Sequence, residues 1–245
     1  MRVVITYFLL ISTVFSFLAA DESETYLGYF SRGLKQTVAD GTNQIILSTA
    51  LLGGVLLRGQ DVPLRNRVQP EGFMSDQLSL VLDKYGNGWA YSSALVGVGV
   101  LSYHQGGRDQ LARDIRYLTT TLGTTGAVTS LLKWAVGRER PNGSDHKSFP
   151  SGHTSASFAL AAALDELYGQ PVGWLTYLIA TAVGAQRIHG DKHWLTDVIA
   201  GAALGTVIGR GFAVEHQRDK KGVAKATTLY RPDYGFAILL VVPIK

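Results

Sequence analysis

A chain of 245 residues, 46% apolar and 17% charged, can build one substantial core and is too apolar to be disordered. Its net charge of +4, without a long basic run, implies no nucleic-acid partner; an anionic small molecule or membrane surface suits it better. With no cysteine, the chain excludes disulfides, thiolate metal sites, a cysteine nucleophile and a cysteine-linked lipid anchor.

In chain order, Arg2 is followed by the uncharged stretch VVITYFLLISTVFSFLAA and then by DESE. A short positive end, an apolar middle and small residues before a polar start read as a secretory signal over residues 1–20, cut after Ala19 or Ala20. An uncleaved anchor helix is the alternative. Both place the rest of the chain across the inner membrane, in the periplasm or cell envelope.

Apolar spacing then predicts helices over 44–58, 75–84, 88–104 and 109–137, with the breaker YGNG after the second. A polar loop, RERPNGSDHKSFP, precedes three more helices at about 151–168, 172–187 and 193–212, jointed at Pro171 and Gly190. The helical domain is expected over 21–225. In the tail, 226–245, residues 226–230 and 236–242 are candidates for a short β-hairpin around RPDYG. Lys133, Asp165, Glu166 and Asp197 interrupt the apolar runs, and the mean hydropathy is only +0.12. The expectation is a compact all-α bundle, soluble or membrane-associated; an integral membrane protein is the alternative, with 89–103 and 172–186 as its best spans.

Three clusters carry chemistry. In KWAVGRERP, Lys133 sits at a helix end and Arg140 precedes Pro141. In FPSGHTSASFA, Ser151, Gly152 and His153 open a helix. In QRIHGDKHWLTD stand Arg187, His193 and Asp197. A helix start has free N–H groups, and Gly152 lets an anion approach them. Lys133, Arg140 and Arg187 add cations from three places, which suits a phosphate dianion. Asp197, one helical turn after His193, can fix that ring's tautomer and leave its other nitrogen as nucleophile. His153 can protonate the leaving oxygen.

These motifs, Lys133-x6-Arg140-Pro141, Pro150-Ser151-Gly152-His153 and Arg187-x5-His193-x3-Asp197, resemble the three signatures of the type 2 phosphatidic acid phosphatase superfamily. Bacterial non-specific acid phosphatases and vanadium haloperoxidases share that superfamily. The resemblance implies an all-helical bundle with its site among helix ends. It implies phosphate binding by Lys133, Arg140, Ser151, Gly152 and Arg187. His153 is then the acid, His193 the nucleophile that becomes a phosphohistidine, and Asp197 its orienter. No metal or other cofactor is implied. The expected substrate is a lipid phosphate or lipid pyrophosphate; a soluble phosphomonoesterase or phosphotransferase is the alternative, and a vanadate-dependent haloperoxidase a more distant one.

One position departs from the pattern: the third signature usually starts Ser-Arg, and here it is Gln186-Arg187. His189 has no role in the motif, and Gly190 is expected to break the helix between it and His193, which removes the i, i+4 geometry of a two-histidine metal site. Arg138 and His146 are read as solvated loop residues, with substrate recognition as the alternative.

Overall fold

The structure is a computed structural model that describes residues 26–229. The signal expected over 1–20 and the strand expected over 236–242 lie outside the described residues. The described chain is helical throughout, with no strand. Its elements are α1 (Tyr26–Ala39), α2 (Gly41–Leu57), a 3-10 turn (Arg58–Gln60), α3 (Asp61–Val68), α4 (Asp76–Lys84), a π turn (Tyr85–Trp89), α5 (Ala90–Val136), α6 (Gly152–Tyr168), α7 (Val172–His189) and α8 (Leu195–Leu229).

Local chemistry sets several boundaries. Asp40 caps α2 by accepting from Asn43 N at 2.9 Å, and Ser75 caps α4 by accepting from Leu78 N at 3.3 Å. Within α5 the chain leaves helical geometry at Gly106 and Gly107, the latter with φ +67°. The two helices expected at 88–104 and 109–137 are therefore the two arms of α5. The sequence YGNG does not stop the chain; it winds on as a π turn into α5. Residues 226–229, expected to begin a hairpin, are helical instead. The preceding run, DKKGVAKA, is rich in helix-forming Lys and Ala, and α8 continues through it.

Two elements were not expected. The buried face of α1 is Tyr29, Gly33 and Thr37, an i, i+4 stripe with little apolar signal. It docks through the Tyr29 ring, which stacks on Phe212, through Gly33 against the same ring, and through Arg32 Nε, which donates to Glu215 Oε2 at 2.7 Å. Helix α3, DVPLRNRV, buries only Asp61.

Helix α6 lies at the centre, against α5, α7 and α8. The core joins Leu160 and Ala163 of α6 to Val98, Ile115, Tyr117 and Leu118 of α5, Ile208 and Phe212 of α8, and Tyr29 of α1. The α6–α8 seam is set by Gly201, Gly205 and Gly209. A Cβ at these positions would stand 2.7 Å from Ser151 O, 2.0 Å from Ser155 O and 2.5 Å from Ala162 Cβ. Glycine every fourth residue lets the two backbones approach closely. This holds the start of α6, with His153, beside the start of α8, with Asp197. Gly205→Ala is expected to destabilise the fold by about 1–3 kcal/mol through overpacking, read as a lower Tm, with a matching loss of activity.

Among the described residues, two segments are long and apolar enough to cross a membrane, Gly41–Val68 and Leu195–Lys221. They are not the pair expected. The chain winds on through Arg58 from α2 into α3, which lengthens the first segment. Asp197 stands in the first turn of α8 and leaves the apolar run after it whole. Leu51, Val55 and Leu56 on α2, Val96, Val100 and Trp134 on α5, and Trp174 and Leu178 on α7 are exposed. The outer surface is thus apolar well beyond scattered single residues.

Candidate active site

Helix α7 ends at His189, and Gly190 closes it by donating to Gln186 O at 2.8 Å. The expected break between the two histidines is present. His189 turns away to Gly72 and Phe73, while His193 lies in the loop before α8, only 3% exposed. Its Nδ1 is 2.7 Å from Ser148 O, and a carbonyl only accepts, so the proton is on Nδ1. Nε2 then carries the lone pair, and Arg140 Nη1 stands 3.4 Å from it as a donor. Both neighbours favour the tautomer that a nucleophilic Nε2 requires.

Asp197 does not hold the ring directly: its Oδ2 is 3.7 Å from Nδ1. It accepts instead from Ser148 Oγ, from Trp194 N at 2.9 Å and from Arg138 Nη1 at 2.6 Å. It fixes Ser148, whose carbonyl fixes the ring. The expected one-turn helical spacing does not apply, because His193 precedes the helix. Arg138 is a half-buried brace and not a solvated loop residue. It also donates to Thr196 Oγ1 and to Asp61 Oδ2 of α3, both at 2.7 Å. His146 is exposed. Ser148 and Asp61 were missed by sequence reasoning; a serine in a polar loop and an aspartate in a polar helix carry no periodic signal.

Lys133 and Arg140 act on this ring, and Arg187 acts on His153. Lys133, in the last turn of α5, donates to Lys147 O at 2.6 Å and to Pro150 O at 2.7 Å. A Cβ on Gly152 would lie 3.6 Å from Lys133 Cε, so the lysine runs beside the start of α6. Arg140 is steadied by Asp145, its Nε donating to Oδ1 at 2.7 Å. Arg187, 5% exposed, reaches Asp83 of α4 and donates to Gln186 Oε1 at 3.1 Å. Two buried side-chain nitrogens at the site have no hydrogen-bond partner among the described residues: Arg187 Nε and His153 Nε2. Unpartnered buried nitrogens on Arg187 and His153, with the cations Lys133 and Arg140 near the open Nε2 of His193, suit a multi-oxygen anion. Ser151 is turned inward: its hydroxyl meets Thr154 Oγ1 at 2.8 Å and its N–H donates to Asp197 O at 3.0 Å. Of the expected phosphate ligands, only Ser151 is thus engaged within the protein on both counts.

Gln186, the departure in the third signature, spans two helices. Its Nε2 donates to Ser79 Oγ of α4 at 3.2 Å while its Oε1 receives Arg187. A serine side chain is too short to make both contacts.

Burial pushes His193 down to about 4; the nearby Asp197 carboxylate opposes this, and Lys133 and Arg140 add to it. The ring is therefore neutral, with its Nε2 lone pair free, through the ordinary pH range. Below about pH 4 it takes a proton on Nε2 and loses the lone pair. The acid limb of kcat/KM should fall near pH 4 and not near the usual histidine value of about 6.5, measured with a phosphate ester over pH 3–8.

Residues 114–221 match the family model of the PAP2 superfamily. That match agrees with the resemblance carried by the three motifs. It contains Lys133, Arg140, His153, Arg187, His193 and Asp197, and leaves Asp61, Ser79 and Asp83 outside. Within the curated proteins, the chain is 38% identical over 87 residues to a lipid A 1-phosphatase of Porphyromonas gingivalis, covering 34% of this chain and 20% of that one. It is 36% identical over 106 residues to a lipid A 1-phosphatase of Rhizobium etli, covering 36% and 44%. The chain thus spans less than half the length of either. In fold, it resembles the transmembrane PAP2-type phosphatidylglycerolphosphate phosphatase of Bacillus subtilis, with a TM-score of 0.57 and 20% identity over 73% of this chain and 96% of that one.

Proposed function

We propose that the protein is a phosphatase of lipid phosphates or lipid pyrophosphates, acting without a metal through a phosphohistidine at His193. The observation that carries this reading is the tautomer: Nδ1 donating to Ser148 O, and Nε2 left open beside Arg140.

The phosphoryl group is held by Lys133, Arg140, Arg187 and the N–H groups at the start of α6. The Nε2 lone pair forms a bond to phosphorus as the bond to the leaving oxygen breaks. His153 gives its proton to that oxygen, and the alcohol departs. A water then attacks phosphorus and yields its proton to His153, the P–N bond breaks, and phosphate leaves with the ring neutral again. Fixed cations that oppose the charge gathered on the phosphoryl oxygens supply most of the rate.

Three observations favour a lipid over a soluble ester. The helices expose apolar faces of membrane-spanning length. The relatives include enzymes named lipid A 1-phosphatase. A cavity of about 390 Å³ adjoins the catalytic loop, walled by Leu47, Leu51 and Val55 of α2, Leu132 and Val136 of α5, and Phe149 and Pro150. An acyl chain fits such a cavity. In this reading α2 and α8 span the membrane of the cell envelope. The catalytic groups lie at helix ends and in loops at its outer surface, on the periplasmic side. Turnover of a detergent-dispersed lipid phosphate should exceed that of p-nitrophenyl phosphate in kcat/KM, and EDTA should leave both unchanged. Preference for the soluble ester would refute the lipid assignment, and loss of activity with EDTA the metal-independent one.

A further inference from the structure

We infer that Asp83, on a helix outside the PAP2 segment, is a positioning residue that keeps the leaving-group proton on His153. The inference rests on the reading of His153 as the general acid.

Three contacts place Asp83. Its carboxylate pairs with Arg187, and its Oδ1 lies 3.8 Å from His153 Nε2. The helix that carries it, α4, is tied to α7 one turn earlier by the Ser79–Gln186 bond. One turn later the π turn brings Gly86 flat onto the His153 ring. A Cβ there would stand 2.3 Å from His153 Cδ2. Extra winding of this kind re-aims a short stretch without ending the helix, and is common at functional sites. Segment 76–89 thus covers His153 with a glycine and presents a carboxylate to its open nitrogen.

The charges facing His153 explain why a carboxylate is needed. Arg187 of α7, Arg140 of the polar loop and His193 of the catalytic loop all disfavour the imidazolium, and burial disfavours it more. Together they push the ring down to about 3, and Asp83 is the group that pulls the other way. Without it, His153 would seldom carry a proton to donate in a pocket built of cations. A phosphate dianion acts in the same direction once bound. Gln186 is part of the device, since it fastens α4 to α7 and also steadies Arg187.

The test uses the full chain in detergent and measures single-turnover phosphorylation with two leaving groups. An alkoxide needs its proton; p-nitrophenolate does not. Asp83→Asn should slow phosphorylation by an alkyl phosphate by roughly 10–100-fold and by p-nitrophenyl phosphate by less than about 3-fold. KM should change by no more than a few-fold, because Gln186 Oε1 still accepts from Arg187, and the alkaline limb should move to lower pH. Asp83→Glu should recover part of the alkyl rate. Equal losses on both esters with a lowered Tm would mean a merely structural role and overturn the inference, as would an unchanged or faster alkyl reaction. His153→Ala separates the two claims. If it keeps the parent's alkyl rate, the acid assignment fails. If it is slow while Asp83→Asn is normal, only the Asp83 inference fails.

Discussion

Replacing His193 with alanine is expected to lower kcat on a lipid phosphate by at least about 10⁴-fold, because loss of a covalent nucleophile removes the reaction path and not merely one contact. The surrounding geometry predicts that binding survives. Lys133, Arg140 and Arg187 are held by Pro150 O, Asp145 and Asp83, none of which depends on the imidazole. Inorganic phosphate should therefore still inhibit or bind the variant, within a few-fold of the parent. Titration of the purified variant by calorimetry, alongside the turnover assay, checks both halves. A collapse of phosphate binding with His193→Ala would mean that the ring organises the cradle instead of attacking from it.

The second large effect is at His153. His153→Ala should cost about 10²–10⁴ in the phosphorylation rate with an alkyl leaving group, and much less with p-nitrophenolate. The ring sits in the first turn of α6, its Nε2 buried and without a hydrogen-bond partner among the described residues. A structural histidine buried at this depth is normally satisfied on both nitrogens. An open nitrogen near the Arg187 and Asp83 pair is instead consistent with a proton handed to substrate. Leaving-group dependence measured by rapid quench reads the effect without relying on steady-state kcat, which also contains dephosphorylation.

Much of this site was legible because its parts are local. A helix start at Ser151-Gly152-His153, cations before Pro141 and after the polar loop, and a histidine beyond Gly190 can each be read from a few adjacent residues. The bundle itself was legible from apolar periodicity in α5, α6 and α7. What stayed hidden depends on contacts between distant segments. Asp61 and Asp83 lie on short helices whose docking partners, Arg138 and Arg187, come from far along the chain. Ser148 acts through a carbonyl, which every residue has. Arg138 looked like a loop cation because its three acceptors come from α3 and α8. Gln186 looked anomalous until α4 was placed beside it. The α6–α8 seam could have been found, since Gly201, Gly205 and Gly209 recur every fourth residue in an apolar run. The membrane-spanning length of 41–68 was obscured by Arg58, Asp61 and Arg65, charges at one end of an otherwise apolar segment.

The central claim is that His193 itself carries the phosphoryl group, and trapping that group tests it most directly. A phosphate ester labelled with ³²P should be mixed with the enzyme, quenched in alkali after a fraction of a turnover, and the protein examined for label. Phosphohistidine survives alkali and is lost in acid. The account predicts label on the parent, mapped to the peptide containing residues 188–197, and none on His193→Ala. Label on another residue, or product formed at the parent's rate by a His193→Ala enzyme, would contradict it.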